Sequence, residues 1–122
     1  DYNELYIAAI NYLNEQGVGY LHVMDGLAFG FHERGEPMTL ADVRPLFDNT
    51  IIGNCGYDYA AANAAVANNK ADMIAFGRPF ITNPDLPERY KNDWPLTPYA
   101  DVTHWYGGAA EGYSDYTTYS PS

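Results

Sequence analysis

The sequence contains little cysteine and little positive charge. Cys55 is the one cysteine among 122 residues, so the chain cannot form an internal disulfide or a redox pair of thiols. Six lysines and arginines stand against sixteen aspartates and glutamates, which gives a net charge of −10. A field of this sign repels nucleic acid phosphates and anionic lipid surfaces. We therefore expect no nucleic acid partner and no docking on a membrane.

The sequence also lacks long apolar runs and recognisable sets of metal ligands. No apolar run reaches the roughly 18 residues that a membrane-spanning helix needs. The N-terminal stretch DYNELYIAAI has no basic region of the kind that opens a signal peptide. We therefore expect a soluble, cytoplasmic protein. His32 and His104 have no partner at metal-ligand spacing, so we expect no metal site.

The residues that are present predict a folded α/β chain of one domain or less. Hydrophobic residues make up 47% of the chain and aromatic residues 16%, which is typical of a globular protein. Apolar periodicity and capping residues predict helices that alternate with strands. The expected helices are 3–17, one that begins at Thr39, one capped by Asp58 and a short one capped by Asn83; the expected strands are 18–24, 49–54 and 72–77.

The strands are near-continuous apolar runs, which are typical of a parallel sheet covered on both faces. His22 lies within the first of them, so we expect a histidine packed in the core. Two architectures fit this order of elements: a doubly wound sheet, or an arc of a (β/α)8 barrel. Residues 93–122, by contrast, are rich in proline and tyrosine and show no helical or strand period, so we expect a tail that covers another surface.

Two consecutive strand ends carry residues suited to a phosphate group. Ligands of parallel α/β folds bind at the carboxyl ends of the strands. Gly53 and Gly56 flank Cys55 just before a helix, where small residues let backbone N–H groups approach an anion. Gly77 then stands next to Arg78, whose planar guanidinium matches phosphate. Together these strand ends predict a phosphate site.

Each of these residues also has a plainer interpretation when it is taken alone. A glycine after a strand is most often part of a turn, and an arginine there is often a surface ion-pair partner. Cys55 is suited to filling a small space, since no histidine lies beside it in sequence to activate a thiolate. Trp94 and Trp105 are of a type that commonly serves in packing.

The chain resembles the old yellow enzymes, a family of FMN-dependent ene-reductases. The resemblance is carried by IAFGRPFITNPDLPERY (74–90) and WYGGAAEGYSDY (105–116), which are similar to the C-terminal region of that family. GYLHVMD (19–25) and IIGNCGYD (51–58) resemble its sixth and seventh barrel strands. The resemblance implies the last three βα units, strands six to eight, of a (β/α)8 TIM barrel that another chain or segment completes. Residues 1–92 would be the partial barrel with the FMN phosphate site, and 93–122 the tail over the barrel mouth.

The resemblance also implies roles for individual residues. The FMN phosphate would be held by Cys55, Gly56, Gly77 and Arg78. Trp105 stands where the family usually has phenylalanine, near the dimethylbenzene edge of the flavin, and Tyr106 would border the substrate pocket. Cys55 takes a place where glycine is frequent in the family. A cysteine is tolerated there if it contributes only its N–H group and its φ is negative.

The complete enzyme implied by the resemblance takes hydride from NAD(P)H onto FMN and passes it to an activated alkene such as an α,β-unsaturated carbonyl compound. The groups that bind the activating carbonyl and donate the proton would lie in the complementary N-terminal segment, so we assign no catalytic residue in this chain. Two alternatives remain: a flavin- or phosphate-binding module without turnover, and a structural subunit that completes a barrel.

Overall fold

A computed structural model of the chain describes residues 2–26, 37–106 and 109–120. They form two compact units, Asp1–Ala75 and Phe76–Ser122. His32 and the glycine pair at 107–108 of the WYGGAAEGYSDY stretch lie outside the described residues. The division into 1–92 and 93–122 refers to a complete barrel and stays a prediction.

The first unit alternates helices and strands in the order that the sequence predicts. Its elements are α1 (Tyr2–Glu15), β1 (Tyr20–Met24), α2 (Leu40–Val43), a 3-10 turn (Arg44–Leu46), β2 (Thr50–Asn54), α3 (Tyr59–Ala67) and β3 (Met73–Ala75). The second unit contains α4 (Arg78–Thr82), α5 (Leu86–Asn92) and a 3-10 turn (Val102–His104). In the part of the chain that the structure describes, no helix has both the length and the apolar character needed to cross a membrane.

The three strands form one parallel sheet in the order β1-β2-β3, which confirms the α/β class and the parallel sheet. Tyr20 pairs with Thr50, and Met24 pairs with Asn54, so β1 and β2 run in full register. Asn54 pairs on its other side with Ala75 of β3. The carboxyl ends of all three strands therefore lie at one edge of the sheet, where ligands of such folds bind.

The helices of the first unit share a single core on one face of this sheet. Ile51 of β2 is buried in a cluster with Ile10 of α1, Leu40 of α2 and Ala65 of α3. Gly53, two residues further along the same face, leaves room for this packing: a Cβ there would lie 2.9 Å from Leu40 Cδ1. Connections that return on one face favour the barrel alternative over the doubly wound sheet.

The opposite face of the sheet is more open, so the expectation of cover on both faces is wrong for β1. Its residues alternate between partly buried and exposed, and Met24 is 65% exposed. His22 belongs to the exposed set, and the prediction of a core histidine is therefore wrong. Its Nε2 lies 3.1 Å from Nδ2 of Asn54 on the neighbouring strand. Successive side chains of a strand point to opposite sides of the sheet, so every second residue of β1 lies on the face that the helices do not cover.

Two predicted helix starts are confirmed and one is wrong. The Thr39 N–H donates to the Asp42 carboxylate over 2.9 Å, and the Asp58 carboxylate accepts from Ala61 N–H over 2.8 Å. Asn83 does not cap a helix start; it follows the last residue of α4, and α5 begins at Leu86. Its buried amide instead bonds the chain at Thr97, where its Oδ1 accepts from the backbone N–H over 2.8 Å.

Asp72 ties the starts of β2 and β3 together. Its carboxylate accepts a hydrogen bond from Ile51 N–H over 2.8 Å and pairs with the Arg44 guanidinium at 2.9 Å. The same guanidinium donates to the carbonyls of Phe47 and Asn49 in the turn before β2. The hydrogen bond from Ile51, reinforced by Arg44, lowers the pKa of Asp72.

We expect Asp72→Asn to lower the free energy of unfolding by about 1 kcal/mol at neutral pH, because the bond to Ile51 and the ion pair weaken in a half-exposed setting. The folded-state pKa lies below the unfolded value, so the carboxylate stabilises the fold above the unfolded pKa. That contribution is lost as pH falls through the folded pKa. Urea unfolding of the chain assembled with its complementary segment, followed across pH, should therefore show the two proteins converging below about pH 4. Asp93→Asn, at an exposed position, is the control; a gap that persists in acid would contradict the assignment.

Candidate functional site

The turn after β2 has a backbone conformation that favours glycine at two successive residues. Cys55 has a φ of 108° and Gly56 a φ of 77°. The condition of a negative φ, under which a cysteine is tolerated at this position, is therefore not met. A side chain in this region costs on the order of 1–3 kcal/mol and persists only where surrounding contacts hold it. Those contacts are present, because Cys55 is buried and its Sγ donates to the Gly26 carbonyl over 3.3 Å.

The positive end of α3 is already occupied by a negative side chain. The Asp58 carboxylate accepts the Ala61 N–H and so satisfies one of the amides that an anion would use. A phosphate at this helix end would meet a like charge. Phosphate binding in the first unit therefore depends on the backbone of Cys55 and Gly56 rather than on the helix dipole.

The ends of β1 and β2 also bring together two polar side chains, Asp25 and Tyr57, that the sequence does not predict to be a pair. The Tyr57 hydroxyl donates to Oδ2 of Asp25 over 2.5 Å, and burial together with this carboxylate raises the pKa of Tyr57. The phenol is therefore neutral. Among the described residues, Oδ1 of Asp25 is buried without a hydrogen-bond partner. The two residues border a cavity of about 290 Å³ that Thr39 and Lys70 also line. Nothing in the local sequence indicates this pair, because its members are 32 positions apart.

In the second unit, Arg78 begins α4 rather than extending from a strand. Gly77 precedes it with a φ of −100°, so that turn does not require glycine for its backbone angle. A Cβ on Gly77 would meet open space, which leaves its backbone approachable. The Arg78 guanidinium carbon lies 4.5 Å from the centroid of the Trp105 ring. These residues fit a phosphate group, since a stacked guanidinium keeps its N–H groups in its own plane.

Trp105 is held in place by the turn that precedes it. Its indole Nε1–H donates to the Ala100 carbonyl over 3.0 Å, and its backbone N–H donates to Val102 over 3.2 Å. The Asp101 carboxylate caps that turn by accepting from Thr103 N–H over 2.9 Å. Tyr106 is different: it is 85% exposed. The structure thus brings Arg78 and Trp105 together.

A buried ion pair connects α5 to the tail. Arg89, which is 4% exposed, pairs through Nε with Oδ1 of Asp85 at 2.7 Å and donates to the carbonyls of Pro95 and Thr117. Burial alone would raise the pKa of Asp85, but the N–H of Tyr119 and the Arg89 guanidinium lower it overall. The spacing of four residues on a helix is the signal that could have revealed this pair. The tail, which has no periodicity of its own, is fixed by these bonds.

An aromatic cavity of about 180 Å³ lies within the second unit. It is lined by Phe80, Ile81, Pro84, Trp105, Tyr113, Ser114 and Tyr116. Its lining makes it suited to flat or apolar groups rather than to ions. Within 2–26, 37–106 and 109–120, no three or more His, Cys, Asp or Glu side chains are grouped so that they could hold a metal ion.

Comparison with known proteins identifies the class. Residues 7–97 match the model of the NADH:flavin oxidoreductase / NADH oxidase family. The chain belongs to this family of flavin oxidoreductases.

Individual proteins and solved structures also match the chain. A 12-oxophytodienoate reductase-like protein of Solanum lycopersicum is 37% identical over 106 residues, which are 87% of this chain and 28% of that protein. The structure of the old yellow enzyme homologue from Zymomonas mobilis matches with a TM-score of 0.84 and 32% identity, over 93% of this chain and 32% of that one. Morphinone reductase in complex with tetrahydroNAD matches with a TM-score of 0.78 and 35% identity, over 93% and 30% of the two chains.

These comparisons confirm the resemblance to old yellow enzymes. The neighbours are TIM-barrel enzymes, and the chain spans about a third of the length of the relatives it matches. The parallel sheet of the first unit is consistent with such a barrel.

The positive φ at Cys55 predicts an unusual order of stabilities for two substitutions. We expect Cys55→Gly to be more stable than Cys55→Ala by about 1 kcal/mol, because both lose the Sγ contacts and only glycine relieves the strained angle. At an ordinary position the alanine variant is the more stable one. Midpoints of urea unfolding, compared at equal slope on the chain assembled with its complementary segment, check this order. An alanine variant that equals or exceeds the glycine variant would show that the φ of Cys55 is negative.

Proposed function

We propose that this chain is the FMN-binding part of an NAD(P)H-dependent ene-reductase that reduces the activated C=C bond of α,β-unsaturated carbonyl compounds. The family match supports the class of chemistry. The structural observation that carries the assignment to flavin binding is the approachable turn at Gly77 followed by Arg78 stacked on Trp105. A cytoplasmic location is part of the same proposal.

In this proposal, each of the two units has its own residues for binding phosphate. In the second unit, Gly77 leaves its backbone open and Arg78 offers its guanidinium to the FMN phosphate. In the first unit, the turn formed by Cys55 and Gly56 would offer its backbone N–H groups to a phosphate. Small residues in such turns let an anion come close to the main chain.

The flavin, when bound, supplies the hydride transfer from NAD(P)H to the alkene. The chain supplies position and electrostatics. Trp105, which its turn holds in place, would form a flat apolar wall for the dimethylbenzene edge of the flavin. Tyr106 is exposed, as a residue that borders a substrate pocket would be before the rest of the pocket is added. We assign no catalytic acid to this chain.

The chain corresponds, in this proposal, to the last three βα units of the barrel, and a complementary N-terminal segment or chain completes it. The one-sided sheet supports this: its helices pack on one face, while the face with Tyr20, Met24 and Met73 is largely exposed. In a closed barrel that face would line the packed interior, and both outer strands of the sheet would pair with further strands. The length of the relatives points the same way.

A structural subunit that completes a barrel without an intact flavin site is the second candidate. Two observations favour it: Cys55 has a strained positive φ, and the carboxylate of Asp58 lies at the helix start that follows. Both weaken an anion site in the first unit. A free-standing binding module without turnover has no observation of its own in its favour.

The first test concerns Arg78. We expect Arg78→Ala to weaken the binding of FMN by about 2 kcal/mol or more, because a charge-assisted contact to the phosphate is lost. Riboflavin, which has no phosphate, should bind almost as before. Titration of both flavins into the chain assembled with its complementary segment, followed by fluorescence, measures the difference. Equal weakening for the two ligands would contradict the phosphate assignment, and no effect on either would favour the structural subunit.

The second test concerns the chain by itself. Three parallel strands cannot close a barrel, and two unpaired edges with an exposed apolar face favour association. We therefore expect the isolated chain to be oligomeric or loosely packed and to bind FMN poorly. A complementary segment of about 240 residues, the remainder of such a barrel, should restore a yellow complex that oxidises NAD(P)H. Sedimentation and near-UV circular dichroism check this. A monomer that unfolds cooperatively and retains FMN would contradict the barrel proposal.

A further inference from the structure

We propose that Trp105 is a positioning residue for Arg78, and that it thereby sets the preference of the site for a phosphorylated flavin over an unphosphorylated one. This inference rests on the proposed function, in which Arg78 binds the phosphate. It assigns Trp105 a second role beside that of a wall for the flavin.

The geometry of the pair carries the inference. The guanidinium carbon of Arg78 lies 4.5 Å from the centroid of the Trp105 ring, within the range of a cation–π contact. The ring attracts the positive charge of the guanidinium, whereas a phosphate oxygen binds to its N–H groups. The two interactions use different features of the guanidinium, and the contact with the ring restricts where that group lies.

Restriction matters because arginine is a flexible side chain. Ordering a free arginine on a ligand costs up to about 2 kcal/mol of rotamer entropy. A guanidinium that is already held on an aromatic face has lost part of that freedom before the ligand binds. The benefit applies to ligands that use Arg78, which means those with a phosphate.

Trp105 can do this because it is itself fixed from behind. Its indole N–H bonds the Ala100 carbonyl, and the turn before it is capped by Asp101. Phenylalanine would keep an aromatic face but would lose the bond to Ala100, and its cation–π attraction is weaker. A tryptophan at this position is thus fixed by its own hydrogen bond, and it in turn restricts the side chain of the arginine.

The readout is the ratio of the dissociation constants of riboflavin and FMN, measured by flavin fluorescence on the assembled protein. A change in the flavin wall alone affects both ligands and cancels in this ratio. We expect Trp105→Leu to lower the ratio about fivefold and Trp105→Phe about twofold, in line with the strength of cation–π contacts. Trp94→Phe, at the tryptophan that packs on Tyr119, is the matched control and should leave the ratio unchanged. In an Arg78→Ala background, Trp105→Leu should have no further effect.

The outcomes separate this inference from the function on which it rests. If Arg78→Ala lowers the ratio and Trp105→Leu does not, the positioning role is wrong and the phosphate assignment stands. If Arg78→Ala leaves the ratio unchanged, the phosphate assignment itself fails. If Trp105→Leu lowers the ratio equally with and without Arg78, tryptophan acts directly on the ligand, and the inference is overturned.

A flavin-free measurement covers the case in which Trp105→Leu does not fold. In an assembled protein in which Trp105 is the one remaining tryptophan, its emission reports on the cation that lies over its ring. We expect Arg78→Ala to change the intensity or wavelength of that emission. Emission that is the same with and without the arginine would show that the stacked pair does not form in solution and would overturn the inference.

Discussion

Parallel pairing on both sides of β2 is the constraint on which the first unit depends. Asn54, the last residue of β2, lies between Met24 and Ala75, so all three strands end at one edge. The same register turns Ile51 toward the helices and leaves Tyr20 and Met24 on the open face. A shift of one residue would exchange the two faces, because successive side chains on a strand alternate. The position of the turn at Cys55 and the location of the core therefore follow from a single register.

The second unit depends on a buried charge instead of a sheet. Arg89 is almost fully buried, and its guanidinium is satisfied by Asp85 and by carbonyls of the tail. Such a group is costly to bury unless its hydrogen bonds are complete, so the tail must take the path that completes them. This explains how a segment without helical or strand periodicity takes a defined course. It also places the turn before Trp105 on a chain segment that is anchored on both sides, at Thr97 and Thr117.

Local features of the fold could be predicted from the sequence, and long-range ones could not. The order of helices and strands, the parallel sheet and the caps at Thr39 and Asp58 follow from periodicity and from residues a few positions apart. The errors at His22 and Asn83 have another origin, since which face of a strand is covered and where a side-chain amide bonds depend on distant segments. The choice between the doubly wound sheet and the barrel likewise depends on which face of the sheet the helices cover, which is a long-range property.

For the candidate site the same distinction applies at each residue. Arg78 is identifiable from its place after a strand and from the family motif, but its contact with Trp105 joins residues that are far apart in the sequence. The positive φ of Cys55 is set by the turn, and the residue type at that position does not reveal it.

The two sets of residues proposed to bind phosphate therefore differ in kind. Arg78 brings a full charge on a side chain in contact with Trp105, whereas the turn at Cys55 offers only backbone dipoles beside the negative Asp58. Charge-assisted hydrogen bonds are roughly twice as strong as neutral ones. A chain with a net charge of −10 repels an anion at most points of its surface, so in the proposal the guanidinium would supply most of the local attraction. The identity of the ring that contacts Arg78 would then have more influence on anion binding than the identity of the residue at position 55.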